Sequence, residues 1–169
     1  MPSASSRSKE HHGPQPGTRA PAFQLPDSTG AIWKLSGARG RWLVLYFYPK
    51  DLSPSCTRQA CDLGELIGAD QAPQVVGVSP DSAQTHARFV VKSQLRVLLL
   101  ADEPSRGAVP AVCALYGAWG RKQMYGRTYE GVKRTTLLID PRGFVRARWD
   151  DVRVPGHAAA VRAQLESLT

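Results

Sequence analysis

Two cysteines near one end of a helical stretch are the residues here with obvious chemistry. Cys56 and Cys61 lie five positions apart, while Cys113 is remote from both. Cys56 follows the apolar run Trp42–Tyr48 and the short polar stretch after Pro49, and it opens a segment in which Leu63, Leu66 and Ile67 recur at helical spacing. The first N–H groups of a helix have no partners within it, and the helix dipole places partial positive charge there. Both effects favour thiolate over thiol, and the thiolate is the nucleophile. Ser53, three residues earlier, has a hydroxyl able to reach the sulfur or an oxygen bound to it. Two other uses of the pair fit less well. Burial of Cys56 as a small apolar residue is opposed by its polar flanks, Ser55 and Thr57. A metal site lacks a second cysteine pair or a nearby histidine to complete four ligands, so neither a metal nor a cofactor is expected.

Five residues along an ideal helix separate two Cα atoms by about 8.5 Å, whereas a disulfide needs less than about 7 Å. Cys56 and Cys61 therefore cannot bond while the helix is intact. If they do bond, the first turn or two must unwind, and the segment becomes a switch: helical when reduced, locally unfolded when oxidised.

The elements that must position these residues follow from periodicity and turn chemistry. Ala22–Leu25 and Ala31–Leu35 alternate around the turn cluster 26–30 and predict a hairpin. The continuous β-rich run 41–48 predicts a central strand covered on both faces. A helix is expected from Cys56 to about Ala69, a strand at 75–78, and a helix capped by Asp81 or Ser82 and running to about Ser93, with Ala87, Val90 and Val91 inward and His86 outward. A strand over 96–101 and a short helix from Pro110 to about Tyr116 come next, the latter holding Cys113 as a core cysteine. Strands over 131–139 and 144–149 join through Asp140-Pro141-Arg142-Gly143, and residues 157–168 form a closing amphipathic helix. Strands alternating with helices predict an α/β domain with a central mixed sheet and an antiparallel edge. Residues 1–17, with His11 and His12, are nearly devoid of apolar side chains and read as a disordered tail; residues 18–169 read as one domain.

Composition excludes other classes. With 42% hydrophobic and 21% charged residues the chain suits a single folded domain. Its longest apolar run falls far short of the roughly 18–20 residues of a membrane helix, and no apolar leader opens the sequence, so no membrane association is expected. The net charge of +8 is spread along the chain with no nucleic-acid motif, which argues for a diffuse field and against a nucleic-acid partner. Three cysteines without a leader suit a reducing, cytoplasmic compartment.

The motif Pro49-x-x-x-Ser53-x-x-Cys56, with Cys61 following, resembles the active site of the peroxiredoxins, most nearly the bacterioferritin comigratory protein or peroxiredoxin Q group. Segments 45–51, 77–82, 116–120 and 134–140 support the resemblance, which spans about residues 17–168. It implies a thioredoxin-like fold with an N-terminal hairpin. It also implies a thiol peroxidase that reduces hydrogen peroxide and organic hydroperoxides. By the resemblance Cys56 is the peroxidatic cysteine, oxidised to a sulfenic acid. Ser53 stands where the family usually has threonine and orients the peroxide, and Pro49 shields the site from water. Arg134, from a distant strand, is the family arginine. Cys61 matches the resolving cysteine and gives an intramolecular disulfide, which thioredoxin or a similar thiol reductant reopens. A bond within one chain needs no dimer, so a monomer is expected. The sequence departs from the family pattern at Ser53, at Ser55 in place of glycine, at Leu52 in place of a polar residue, at Val97 in place of an aromatic one, and in a longer 103–109 connection. A redox-sensing thiol protein of the same fold, without significant peroxidase turnover, is the alternative reading.

Overall fold

Every residue of strand β3 (Leu43–Phe47) is buried, because the strand lies in the middle of a sheet covered on both faces. Alternate side chains enter different cores. Leu43, Leu45 and Phe47 pack on one side, and Val44, Tyr46 and then Tyr48 on the other. The computed structural model describes residues 12–68 and 72–169. In chain order the elements are a hairpin of β1 (Gln24–Pro26) and β2 (Ile32–Lys34), a 3-10 turn at Leu35–Ala38, β3, α1 (Pro54–Gly64), β4 (Gln74–Ser79), α2 (Ala83–Ser93), β5 (Leu98–Ala101) and α3 (Ala111–Leu115). There follow β6 (Trp119–Met124), β7 (Arg127–Val132), β8 (Thr135–Ile139), β9 (Val145–Trp149) and α4 (His157–Leu168).

The main sheet has the order β5-β4-β3-β8-β9. β3, β4 and β5 run parallel, while β8 and β9 pair antiparallel, which gives the mixed sheet with an antiparallel edge that the element order predicts. Side chains of α1, α2 and α4 cover one face through Ala60, Leu63, Phe89, Val161 and Leu165. The other face is covered by α3, with Val112 and Cys113, and by Phe23, Leu25 and Trp33 of the N-terminal hairpin region.

Four expectations need correction. The strand expected over 131–139 is two strands in different sheets. β7 pairs with β6 in a separate two-stranded hairpin, β8 pairs with β3, and Lys133 and Arg134 carry the chain between them. Residues 117–130 gave no clear alternation because most of that hairpin is solvent-exposed on both faces. Helix α1 ends at Gly64, with turns through Gly68; its expected end at Ala69 lies outside the described residues. On α2 the buried stripe is His86 and Phe89, and Val91 is 78% exposed. His86 turns inward because both its ring nitrogens find partners there. The boundary expected at Gly17 also shifts, since residues before it are part of the packed structure. Residues 1–11 lie outside the described residues, whereas 12–17 pack on the domain. Backbones meet so closely there that a Cβ on Gly13 would lie 2.2 Å from the Tyr116 carbonyl oxygen and one on Gly117 1.7 Å from that of His12. Arg148 Nη1 donates to the Pro14 and Tyr116 carbonyls across this contact. Glycine supplies what apolar side chains do elsewhere, so hydrophobicity gave no sign of the packing. No helix among the described residues is long and apolar enough to cross a membrane.

Gly77 makes room for Tyr46, its register partner on β3. A Cβ at Gly77 would stand 2.7 Å from Tyr46 Cζ and 3.0 Å from Leu99 Cδ2. Gly77→Ala is expected to lower stability by about 1–3 kcal/mol through this overpacking, read as a fall in the thermal midpoint; an unchanged midpoint would show that the tyrosine ring moves aside freely.

Candidate active site

After β3, Tyr48 still donates its N–H to Val78 (3.1 Å), and the chain then leaves the sheet in a loop through Ser53. Leu52 takes the left-handed conformation, with φ 64°, and Ser53 caps α1. Its Oγ accepts from the Cys56 N–H (3.3 Å) and donates to the Lys50 carbonyl (3.1 Å). The Ser53 carbonyl accepts from the N–H and hydroxyl of Thr57 at 2.9 and 2.8 Å. Pro54 begins the helix, where its missing N–H costs nothing. Loop and first turn thus form one bonded unit with Cys56 as the third helical residue.

Helical geometry turns Cys56, Gln59, Ala60 and Leu63 toward the sheet while Ser55 stays exposed. Cys56 is 1% exposed, contrary to the expectation drawn from its polar flanks; the flanks point outward and the thiol inward because neighbours on a helix lie about 100° apart. The sulfur is not enclosed in hydrocarbon alone. Arg134 Nη2 donates to Cys56 Sγ at 3.2 Å, and Nη1 of the same guanidinium donates to Gln59 Oε1 at 2.7 Å. Sheet register makes this contact. Thr135 pairs with Phe47 across β8 and β3, so Arg134 stands level with the end of β3, where the loop begins. Gln59 holds the guanidinium without neutralising it, as a carboxylate in its place would. The amide Nε2 of Gln59 and the Tyr46 hydroxyl are both buried, and neither has a hydrogen-bond partner among the described residues. Burial first, and then the nearby Cys56 and Asp51, push the Tyr46 phenol well above its ordinary pKa and keep it a protonated donor.

The structure thus brings Cys56, Ser53 and Arg134 together, with Pro49 half-buried at the start of the loop. Cys61 lies on the same helix as an exposed free thiol. Cys113 is buried in the opposite core, where burial and then Asp102 raise its pKa beyond the reactive range. Arg134 also lines a cleft of about 480 Å³ with Arg121, Lys122, Lys133 and Asp151. Sequence reasoning missed Gln59, although its place three residues after Cys56, on the same helix face, was a readable signal. It also missed Asp51 and His86, which meet only in the fold. The arrangement can hold an ionised sulfur and offer donors to an oxygen that gains negative charge beside it.

Comparison with known proteins agrees with this chemistry. Residues 16–148 match the model of the AhpC/TSA family. Peroxiredoxin Bcp of Bacillus subtilis is 36% identical over 155 residues, covering 90% of this chain and 96% of the relative. Among solved structures, the peroxiredoxin Q of Xylella fastidiosa superposes with a TM-score of 0.81 at 30% identity, over 91% of this chain and 96% of that one. The bacterioferritin comigratory protein of Xanthomonas campestris, described with alkyl peroxide reduction activity, gives a TM-score of 0.74 at 34% identity, over 86% and 90% of the two chains. The fold is thioredoxin-like, as these neighbours are.

Replacing Arg134 by glutamine is expected to slow the reaction of Cys56 with hydrogen peroxide by on the order of 10²–10³, measured as a single-turnover rate constant. Arg134→Lys should not restore it, since one ammonium cannot reproduce the planar fork that spans Cys56 and Gln59. Equal rates in wild type and Arg134→Gln would remove the guanidinium from the chemistry.

Proposed function

Since the chain belongs to the AhpC/TSA family and is a peroxiredoxin of the bacterioferritin comigratory type, we propose that it reduces hydrogen peroxide and organic hydroperoxides through Cys56, with Cys61 as resolving cysteine and thioredoxin or a similar dithiol protein as reductant. The observation that carries this reading is the Arg134 guanidinium 3.2 Å from the Cys56 sulfur. The alkyl peroxide activity described for the Xanthomonas campestris relative supports the substrate class.

The cycle has three steps. The Cys56 thiolate attacks one oxygen of the peroxide; an S–O bond forms as the O–O bond breaks, and the leaving oxygen takes a proton to depart as water or an alcohol. Negative charge builds on that oxygen, where Arg134 can meet it without rearranging and the Ser53 hydroxyl can add a second donor. In the resting structure the Ser53 hydroxyl is spent on Lys50 and on the Cys56 N–H, so its service to the peroxide requires it to turn from the Lys50 carbonyl. Pro49 at the loop start keeps water from the sulfur. In the second step the Cys61 thiol displaces water from the sulfenic acid and closes the disulfide. A buried Cys56 and an exposed Cys61 on one intact helix cannot meet, so α1 unwinds from its N-terminal end. In the third step a dithiol protein exchanges with the disulfide, becoming oxidised as Cys56 and Cys61 regain their thiols. A bond within one chain suits a monomer, and the reductant suits a reducing cytoplasm.

With peroxide and a thioredoxin system, Cys56→Ser should be inactive, and Cys61→Ser should consume about one equivalent and stall as sulfenic acid. Mass measurement under non-reducing conditions, with peptide mapping, should place the wild-type bond between these two cysteines. Consumption unaffected by Cys56→Ser would overturn the reading. Turnover absent in the wild type, with the disulfide still forming, would favour a redox sensor.

Amide exchange provides a separate check on the unwinding. Protection across residues 56–64 should be lost in the oxidised protein; the same protection in both redox forms would mean that the helix never opens.

A further inference from the structure

Asp51 belongs to the loop between β3 and α1, two residues after Pro49 and two before Ser53, yet it is only 3% exposed. A carboxylate in such a place needs partners, and it has them on both oxygens. Oδ1 accepts from the Tyr48 hydroxyl at 2.6 Å, and Oδ2 bonds Nδ1 of His86, a fully buried residue of α2. The backbone N–H of Asp51 donates to Asp81 Oδ2 at 2.7 Å, just ahead of that helix. The other ring nitrogen of His86, Nε2, lies 2.9 Å from the Leu100 carbonyl on β5.

The hydrogens in this cluster can be counted. A carbonyl only accepts, so Nε2 of His86 carries a hydrogen. The contact between Nδ1 and Asp51 needs another, whichever atom holds it. Together the two groups hold one proton more than a carboxylate beside a neutral imidazole, and the pair is neutral overall with both side chains fully buried. Its cohesion therefore depends on both partners: removing one leaves a buried polar group unsatisfied.

Asp51 is thereby pinned to β3, to α2 and, through His86, to β5. The next residue, Leu52, is left-handed at φ 64°, a conformation that a leucine holds only when its surroundings impose it. Ser53, the cap of α1, follows directly. We infer that Asp51 and His86 are positioning residues for the thiol chemistry: they hold the loop so that Ser53 and Cys56 stay in register with Arg134. The role presupposes Cys56 as the reacting cysteine, as proposed above.

Two substitutions of one residue separate this role from general stability. The amide of asparagine stands where Nδ1 does and can still donate to Asp51; that of glutamine stands where Nε2 does and can still donate to Leu100. The step in which hydrogen peroxide oxidises Cys56 and the step in which Cys61 closes the disulfide are followed separately by rapid quench and mass measurement, alongside thermal midpoints. His86→Gln should slow oxidation by on the order of tenfold or more without slowing disulfide closure, while His86→Asn stays near the wild-type rate in both. If His86→Gln does not fold, Asp51→Ala against Asp51→Asn poses the same question, with the alanine variant slow and the asparagine variant fast. Equal oxidation rates within the pair, or rates that merely follow the thermal midpoints, would overturn the inference. A wild-type protein whose Cys56 does not oxidise would overturn the peroxidase reading instead, so the two failures are distinct.

Discussion

Arg134 reaches the Cys56 sulfur from 78 positions further along the chain, and most of what the fold does around the site serves that contact. The sulfur is buried, so water contributes little to stabilising charge on it, and a donor fixed in place counts for more than it would in solvent. A hydrogen bond from a cation to a sulfur that can ionise is among the stronger polar contacts available. It holds only if the guanidinium is itself held. Gln59 does this from the same helix as Cys56, so the two ends of the fork close on side chains one turn apart. Because Gln59 is uncharged, the positive charge of Arg134 remains available to the sulfur and to any oxygen beside it.

Helix α1 serves two opposed needs. Its first turn must be firm enough to hold the thiol against Arg134, yet must open if Cys56 is to meet Cys61. The bonds that hold that turn include side-chain bonds of Ser53 and Thr57 to nearby backbone and the Thr57 N–H to the Ser53 carbonyl, which a short stretch can exchange for water. Further along, Leu63 and Leu66 are in the core, and releasing them would cost much more apolar surface. The apolar side chains buried along this segment thus grow larger away from Cys56, a distribution that suits local opening at the Cys56 end while the domain stays folded.

The surroundings add a field to this local chemistry. Arg121, Lys122 and Lys133 join Arg134 along a cleft that Asp151 also lines. The hairpin of β6 and β7 that contributes to this cleft stands apart from the main sheet. Charges scattered along the sequence thus meet in one cleft that includes Arg134, the residue that contacts the Cys56 sulfur.

Much of the architecture was legible in the chain itself. The unbroken apolar run of β3 marked a strand covered on both faces, and the closing helix appeared over its observed length, because each rests on local periodicity; α1 was expected from Cys56 and begins two residues earlier, at Pro54, capped by Ser53. The place of Cys56 in the first turn of a helix was legible for the same reason, since it is a local property. Burial of Cys56 and the inward turn of His86 were not, since each depends on what the rest of the chain offers at that depth. Nor was the break between β7 and β8, where strand-forming residues continue but the pairing partner changes. Sequence by itself determined that Cys56 and Cys61 would share a helix following the central strand. Only the tertiary structure decided what faces the Cys56 thiol, because the register of β8 against β3 places a guanidinium beside it, and register is set by packing across the whole sheet.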